Sequence, residues 1–592
     1  MNYNIIHQYE ILKEQEILEQ KKIEKINKNK ENMLYNYNFD LPLQYLEHDS
    51  LSSILKDDLE FNGDNNIINN IYNSDNYHLL HNKYSTLYSK NKSFLKQQQK
   101  LITKFDYTEN TMNSFIDDYI TYKNDPDFEN KYQYVQFKRF KYLNYYSSFL
   151  YFLGIYSFSS PFLSLLGPII GLIIPYFIFW VKGIKMSFSQ YYIIVKNIIL
   201  NNSLINGLLN FHKNSIQTNA YTLVSIILYS MSVYNNVVSC INFYNSLDYL
   251  INFIDRYYDF VCQGKQLIEN TKKQMNKLSK FKPFCETMNK YEENVNKIIK
   301  NMENLCCYKE KISKYGQMGV MLKCNYEIYN KPEFHDTIMY LVYLNNYSQD
   351  IQQAQGLIKS SQLNPCNYLS KKSKKSTSFN DIYYLPLIHK NKITNNVKLD
   401  KNLIITGPNA SGKTTLIKSL LINVFLNQSL GFGCYNSCSA HIYDYFHSYL
   451  NIPDTSNRDS LFQAEARRCK NIIEFIEKNK TKKHFCIFDE IYSGTNPNDA
   501  ILCASIYLNG LNNYKKKVDY VLTTHYIDLC EKFDKNKNVI NKKMNAIEKN
   551  DGSNSFDYTY KIESGISKIN GGFQILVDLD YPDYLLQYYK KI

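Results

Sequence analysis

The chain lacks any paired C-x-x-C framework. Its thirteen cysteines are scattered, and neither the adjacent Cys306-Cys307 nor the lone C-x-x-x-C at Cys434 and Cys438 has zinc-ligand spacing or the look of a disulfide scaffold. A reducing compartment is therefore expected. No apolar h-region stands at the N-terminus, so no signal peptide is visible and an intracellular location is expected. Charge is missing altogether from Tyr142 to Val181, and Phe158 to Val181 is nearly all apolar. That run exceeds the ~20 residues needed to cross a bilayer's hydrocarbon core. Pro161, Pro168 and Pro175, with Gly167 and Gly171, interrupt it and argue against a straight helix. Lys138, Arg139 and Lys141 precede it, and Lys182 and Lys185 follow. Basic residues on both flanks fit a hairpin whose ends share one side better than a single pass. Two readings stay open for this stretch: association with a membrane, or a hairpin buried in protein. A second uncharged stretch, Asn214 to Leu247, carries Asn219, Asn235, Asn236 and Asn242 and reads as a buried helix.

What is present points to several domains, because 592 residues exceed what one core organises. The net charge of +13 suits nucleic acid or an anionic membrane surface and distinguishes neither. An excess of Asn, Lys, Ile and Tyr has the look of coding bias from an AT-rich genome, so tyrosines argue only weakly for base stacking. Composition divides the chain into a polar, helical and loop-rich region (1–135) and an apolar helical region (136–250) holding the candidate membrane hairpin at about 142–181. A Lys- and Glu-rich helical lever or core-like region follows (251–368), then a basic, Ser-rich linker (369–380). From 381 to 592 strands and helices alternate, the signature of an α/β layer.

The chemistry is concentrated there. Ile404-Ile405-Thr406 reads as a buried strand, and Gly407-Pro408-Asn409-Ala410-Ser411-Gly412-Lys413-Thr414-Thr415 fits the phosphate-cradling pattern G-x-x-x-x-G-K-[ST]. The two glycines let successive N–H groups face phosphate oxygens, and the helix N-terminus adds partial positive charge. Lys413 can reach the β- and γ-phosphates, and the Thr414 hydroxyl can ligate Mg²⁺. About seventy-five residues later, His484 to Phe488 reads as a strand ending in Asp489-Glu490. That places two carboxylates at the sheet edge where ligands bind. Asp489 would hold Mg²⁺ and Glu490 would polarise the water attacking the γ-phosphate of ATP. A further strand, Tyr520 to Thr524, ends at His525, which could face the γ-phosphate or sit satisfied in the core.

Together these blocks resemble the ATPase domain of the MutS mismatch-repair family, within the ABC ATPase superfamily. The resemblance is carried by Thr406 to Thr415, by Asp489-Glu490-Ile491 with Ser493-Gly494-Thr495 and Asp499, and by Thr523-Thr524-His525-Tyr526. Asp459 to Arg468 resembles the family's signature segment, and Tyr558 to Lys561 its closing strand, with Gly572-Phe573-Gln574 opening terminal helices. It covers about a third of the chain, from Tyr384 to the C-terminus. The resemblance implies an ABC-type α/β nucleotide-binding fold at the C-terminus, preceded here by a mainly α-helical region. It also implies ATP and Mg²⁺ as cofactors and head-to-tail homo- or heterodimers through the ATPase domains. In such a pair Ser460 would contact the partner's ATP, Asp499 would relay state across the interface, and Asn409 would sense the nucleotide. Glu490 would be the base and His525 the switch residue. Arg458 departs from the family, which usually has Gly two residues before the signature Ser.

The family's mismatch readers wedge a Phe-x-Glu aromatic into DNA from an N-terminal α/β domain. Phe284-Cys285-Glu286 and Phe475-Ile476-Glu477 satisfy the letters, but the first lies in a helical run and the second inside the ATPase domain, and the N-terminal region lacks the alternating strands. A divergent member is expected, binding DNA as a clamp in mismatch repair or related maintenance. The alternative is a membrane-associated ATPase using the same motor for a mechanical or scaffolding role. An ABC transporter fits poorly, since no Leu-Ser-Gly-Gly precedes Asp489 and the apolar blocks are too few for a conduit.

Overall fold

The computed structural model describes residues 28, 31–63, 66–72, 78–184, 186–201, 215–306, 315–450, 461–514, 516–548, 556–569, 576, 579 and 581–586. They form two compact units. The first comprises Met1–Asn36, Asn110–Gln266 and Tyr291–Val342, the second Tyr37–Glu109, Leu267–Lys290 and Tyr343–Ile592.

The first unit is helical. Its core is built from the abundant aromatics: Tyr122 stacks on Phe253 with centroids 4.1 Å apart, and Phe128 on Tyr329 at 3.6 Å. Such pairs add to the large apolar area that each ring buries. The hydroxyls of Tyr122 and Tyr134 are satisfied internally. Tyr122 Oη donates to Asn325 Oδ1 at 2.7 Å, Asn325 Nδ2 donates to Tyr134 Oη at 2.9 Å, and Tyr134 Oη donates to the Leu322 carbonyl at 2.6 Å. Tyrosine richness here serves packing.

Two helices of this unit correct the sequence reading. Helix α1, Ser147–Val181, runs without a break for 35 residues, so no hairpin lies within 142–181. Two of the prolines are accommodated because the carbonyls they strip of a helical donor find others. Pro161 cannot bond Ser157 O, which accepts from Ser160 Oγ at 3.0 Å. A proline at 168 cannot bond Ser164 O, which accepts from Tyr229 Oη at 3.0 Å. Helix α2, Ile216–Met275, lies antiparallel to α1, with Phe158 edge-on to Phe243 at 5.4 Å. Most of the stretch expected to be a buried helix is the outer part of α2, and it is exposed: Tyr221, Leu223, Val224, Ile227, Leu228 and Tyr234 all lie on the surface, although Thr222 is buried and Phe243, Ser246 and Leu247 enter the core as expected. The inner ends of both helices enter the core. There Gly319 lets the helix Met318–Asn330 approach α1 so closely that a Cβ on it would meet Ser147 O at 2.2 Å.

The second unit holds the α/β layer. A short antiparallel pair, β1 (His48–Ser50) and β2 (Leu87–Ser89), precedes two larger sheets. One has the order β5-β4-β8-β3-β7, from β3 (Asn364–Tyr368), β4 (Thr377–Ile382), β5 (Asn395–Leu399), β7 (Phe432–Gly433) and β8 (Ser437–Ala440). The other has the order β13-β12-β6-β11-β10-β9, from β6 (Asn402–Thr406), β9 (Tyr445–Tyr449), β10 (His484–Asp489), β11 (Val518–Thr523), β12 (Val539–Glu548) and β13 (Phe556–Ser564). Its strands run parallel except β13 at the edge. The central strands β6, β10 and β11 each carry a buried apolar run (Leu403–Ile405, Phe485–Phe488 and Tyr520–Leu522), as burial on both faces requires. Helices α3 (Lys413–Ser429), α4 (Leu461–Lys478) and α5 (Pro497–Asn512) accompany them, and Ile472, Ala504 and Leu508 pack with Ile404, Phe488 and Leu522 in one core.

The linear domain division does not survive. Tyr37–Glu109 belongs to the same unit as the α/β layer. Phe61 packs on Phe425 at 5.4 Å, Tyr88 Oη donates to Asp444 O at 3.0 Å, and Lys92 Nζ donates to Tyr368 O at 2.6 Å. Nor is 369–380 a linker between domains. It is the connection from β3 to β4, tied down where Leu369 N donates to Ala440 O at 2.8 Å. The helices expected from Gly572 begin outside the described residues, and the last described element is the short helix Asp583–Leu586.

Candidate functional site

The site forms where β6, β10 and β11 end. β6 delivers the chain into the loop Gly407–Gly412, and α3 begins at Lys413. Ala410 and Gly412 take left-handed backbone, with φ of 62° and 88°. Alternating handedness turns successive N–H groups to one side, an anion-binding nest. Gly412 is required twice over, because its φ disfavours a side chain and a Cβ would stand 3.1 Å from the Tyr560 ring. Ser411 Oγ donates to Pro408 O at 2.7 Å and is buried, bracing the loop from within. Asn409, Ala410 and Thr415 are exposed on its outer side.

Lys413 is almost fully buried, and its Nζ donates to Gly407 O at 3.0 Å and Pro408 O at 3.1 Å. The same Nζ lies 3.5 Å from Glu490 Oε1. Thr414 Oγ1 donates to Asp489 Oδ2 at 2.7 Å, and Thr523 Oγ1 donates to Asp489 Oδ1. A hydroxyl and a carboxylate thus converge on one point, a hard-oxygen pair of the kind Mg²⁺ takes alongside phosphate oxygens and water. Among the described residues no cluster of three or more His, Cys, Asp or Glu is placed to hold a metal ion.

Glu490 follows β10 in a left-handed turn, φ 49°, with its N–H donating to Thr523 O at 3.0 Å. A non-glycine residue held there is strained, and such turns concentrate at functional sites. His525 Nδ1 stands 3.7 Å from Glu490 Oε2. The neighbouring His525 ring is the main influence holding the Glu490 carboxyl below its usual range; partial burial opposes it, and Lys413 adds to the lowering. His525 is half exposed, at 49%, and faces the site instead of filling the core.

Asp499 lies exposed in the first turn of α5, where its N–H donates to the N-cap Asn496 Oδ1 at 3.0 Å. Ser460, Asp459 and Arg458 lie outside the described residues, and α4 begins one residue later. Both Phe-x-Glu triplets are helical, in Lys282–Cys306 and in α4, and Phe284 is buried edge-on to Phe39.

One residue went unnoticed. Glu465 is 2% exposed. Its Oε1 accepts from Ser493 N at 3.1 Å and Ser493 Oγ at 2.9 Å, and its Oε2 accepts from Gly494 N at 3.1 Å. It clamps the loop after β10 to α4. The signal was available: Glu465 sits on the buried stripe of α4 with Cys469, Ile472 and Ile476, a carboxylate where the pattern calls for an apolar residue. Tyr560 on β13, whose ring lies against Gly412, is a second neighbour of the loop that was read only as part of a closing strand.

With this geometry in view, residues 403–592 match the family model described as MutS domain V. The C-terminal region is a MutS domain V. Curated relatives named Endonuclease MutS2 align to the same part of the chain. That of Alkaliphilus oremlandii is 27% identical over 212 residues, covering 35% of this chain and 26% of its own. That of Clostridioides difficile is 28% identical over 219 residues, covering 35% and 25%. The chain thus spans about a quarter of the length of the curated relatives it matches.

Proposed function

We infer that the chain is an ATP-hydrolysing motor of the MutS type, with an ABC-type nucleotide fold, that couples ATP binding and turnover to clamp-like binding of DNA. One observation carries the chemical half: Lys413, Thr414, Asp489, Glu490 and His525, distant in sequence, meet at one sheet edge beside a nested loop. The loop amides and Lys413 bind and orient the triphosphate. Thr414 and Asp489 hold Mg²⁺, which when bound neutralises charge on the β- and γ-oxygens. Glu490, kept ionised at neutral pH, accepts the proton of the attacking water, and His525 fixes the orientation of its carboxylate. The exposed Asp499 and the segment holding Ser460 suit a head-to-tail pair of ATPase domains, homo- or heterodimeric.

DNA as partner is supported by the domain V match, by the net charge of +13 and by the MutS2 relatives, and such a partner suits a chain inside the cell. Those relatives are named endonucleases. Since most of their length is unmatched, no nuclease activity is carried over. Mismatch reading is not part of the proposal either, because Phe284 is buried against Phe39 and Phe475 lies on helix α4 among the ATPase strands.

The test is turnover with magnesium. Glu490→Gln should bind ATP while kcat falls ~10²–10⁴-fold, the usual contribution of a general base, whereas Lys413→Ala should lose nucleotide binding. A wild-type chain with no nucleotide-dependent thermal shift would end the motor reading. Duplex and branched DNA that neither bind nor alter turnover at any stated salt concentration would end the DNA reading alone.

A further inference from the structure

The outer halves of α1 and α2 form an antiparallel two-helix arm with no function in the reading above. Among the described residues of α1, none from 158 to 181 is buried, and on α2 none from 223 to 242 is. Phe162, Phe177, Trp180 and Val181 are 69, 58, 72 and 76% exposed. Both helices are long and apolar enough to cross a membrane. At 1.5 Å per residue, 158–181 spans roughly 36 Å, against a hydrocarbon core of ~30 Å.

Three further observations identify the medium this surface fits. First, four serines of α1 spend their hydroxyls on helix carbonyls. Ser157, Ser159, Ser160 and Ser164 donate to Leu153, Ile155, Ser157 and Pro161 at 2.8–3.0 Å. The carbonyl that a proline at 168 would leave bare accepts from Tyr229 of the neighbouring helix. Backbone freed by proline and satisfied within a helix pair is what hydrocarbon demands and water does not. Second, charge is one-sided. No Asp or Glu occurs from residue 130 to 247, while Lys131, Lys138, Arg139, Lys141, Lys182, Lys185, Lys196 and Lys213 do. Third, the chain's single tryptophan, Trp180, stands near the end of α1 beside Tyr176, where an amphipathic aromatic meets a headgroup layer.

We propose that the α1–α2 arm is embedded in a lipid bilayer bearing anionic headgroups, anchoring the chain to a membrane. The apolar faces take the hydrocarbon. The cations preceding α1 and at the far end of the arm take the phosphates, and no carboxylate in the arm opposes them. The proposal stands independently of the ATPase reading.

The full chain is synthesised in the presence of vesicles of phosphatidylcholine, alone or with one quarter phosphatidylserine, and floated on a density gradient. The expected result is flotation that resists both high salt and alkaline carbonate, several-fold greater with phosphatidylserine, with Trp180 emission quenched by brominated acyl chains. The combined variant Phe162→Lys, Ile174→Lys and Phe177→Lys should float at least ten-fold less, while a nucleotide-dependent thermal shift reports that it is folded. Wild-type chain left unfloated, unquenched tryptophan, or a triple variant that floats like wild type overturns the proposal. So does a vesicle-free dimer that the triple variant dissolves, which would give the surface to a second copy. Equal flotation on both compositions overturns the headgroup assignment.

Discussion

Helices α1 and α3 invert the usual relation between polarity and burial. α3 carries Lys413, Lys418, Ser419, Asn423, Asn427 and Gln428, and every one is buried. α1 is almost wholly apolar, and its outer half is on the surface. The difference lies in what each side chain can bond. Asn423 Nδ2 donates to Tyr383 O at 3.2 Å and its Oδ1 accepts from Cys434 N at 2.5 Å. Gln428 Nε2 donates to Tyr443 O at 2.9 Å while its Oε1 accepts from Tyr443 N at 2.8 Å. Asn427 Oδ1 accepts from Tyr435 Oη at 2.6 Å. These amides replace ladder partners for the irregular chain between α3 and β9, so they enter the core at little cost. α1 offers no such donors and meets no such backbone beyond its inner end. Hydropathy alone therefore ranks the two helices in the wrong order of burial.

The sharpest way to break this comparison is to make α3 apolar. Asn423→Leu would leave the Cys434 amide and the Tyr383 carbonyl buried without their partner. Each such orphan costs ~1–3 kcal/mol, so a loss of roughly 4 kcal/mol in urea unfolding is expected, and the phosphate loop should lose nucleotide affinity as α3 shifts. A stable Asn423→Leu chain would mean that burial in this unit follows hydrophobicity after all.

What the sequence made legible follows from the same distinction. The phosphate loop, Asp489, Glu490 and His525 were readable because each lies at the end of a buried strand, and local chemistry fixes those positions. Glu465 was named only within the segment Asp459 to Arg468, although its place on the buried stripe of α4, a charge among apolar residues, set it apart. The N-terminal strands escaped notice because each is only three residues long and pairs with the other some forty residues away, and their tie to the α/β layer runs through the Tyr88 and Lys92 side chains to partners more than 250 residues downstream. The hairpin reading failed for a related reason. Prolines break helices when freed carbonyls face water, but Ser160 and Tyr229 supply the missing donors, and Tyr229 is remote in sequence.

Within α1 itself the inner and outer ends can be set against each other. At the inner end, Gly319→Ala would drive a Cβ into Ser147 O at 2.2 Å and the Tyr151 amide nitrogen at 2.8 Å. Backbone cannot step aside as a flexible side chain can, so the helices must part, with an expected loss of about 2–3 kcal/mol, the upper range for overpacked cores. The measurement is the unfolding midpoint of the first unit, followed by its tyrosine-rich near-ultraviolet signal. An unchanged midpoint would show that the close approach does not hold α1 in place.

The smallest effect is expected at the outer end, and its sign matters more than its size. A Cβ on Gly167 meets nothing within 4 Å. With no neighbour to displace, Gly167→Ala changes only the backbone entropy given up on forming the helix, a gain of about 0.5–1 kcal/mol. Helicity by circular dichroism and the unfolding midpoint should both rise slightly or hold. A loss at Gly167 matching that at Gly319 would mean that another surface, protein rather than solvent or lipid, closes over the arm there, and the contrast between the two ends of α1 would disappear with it.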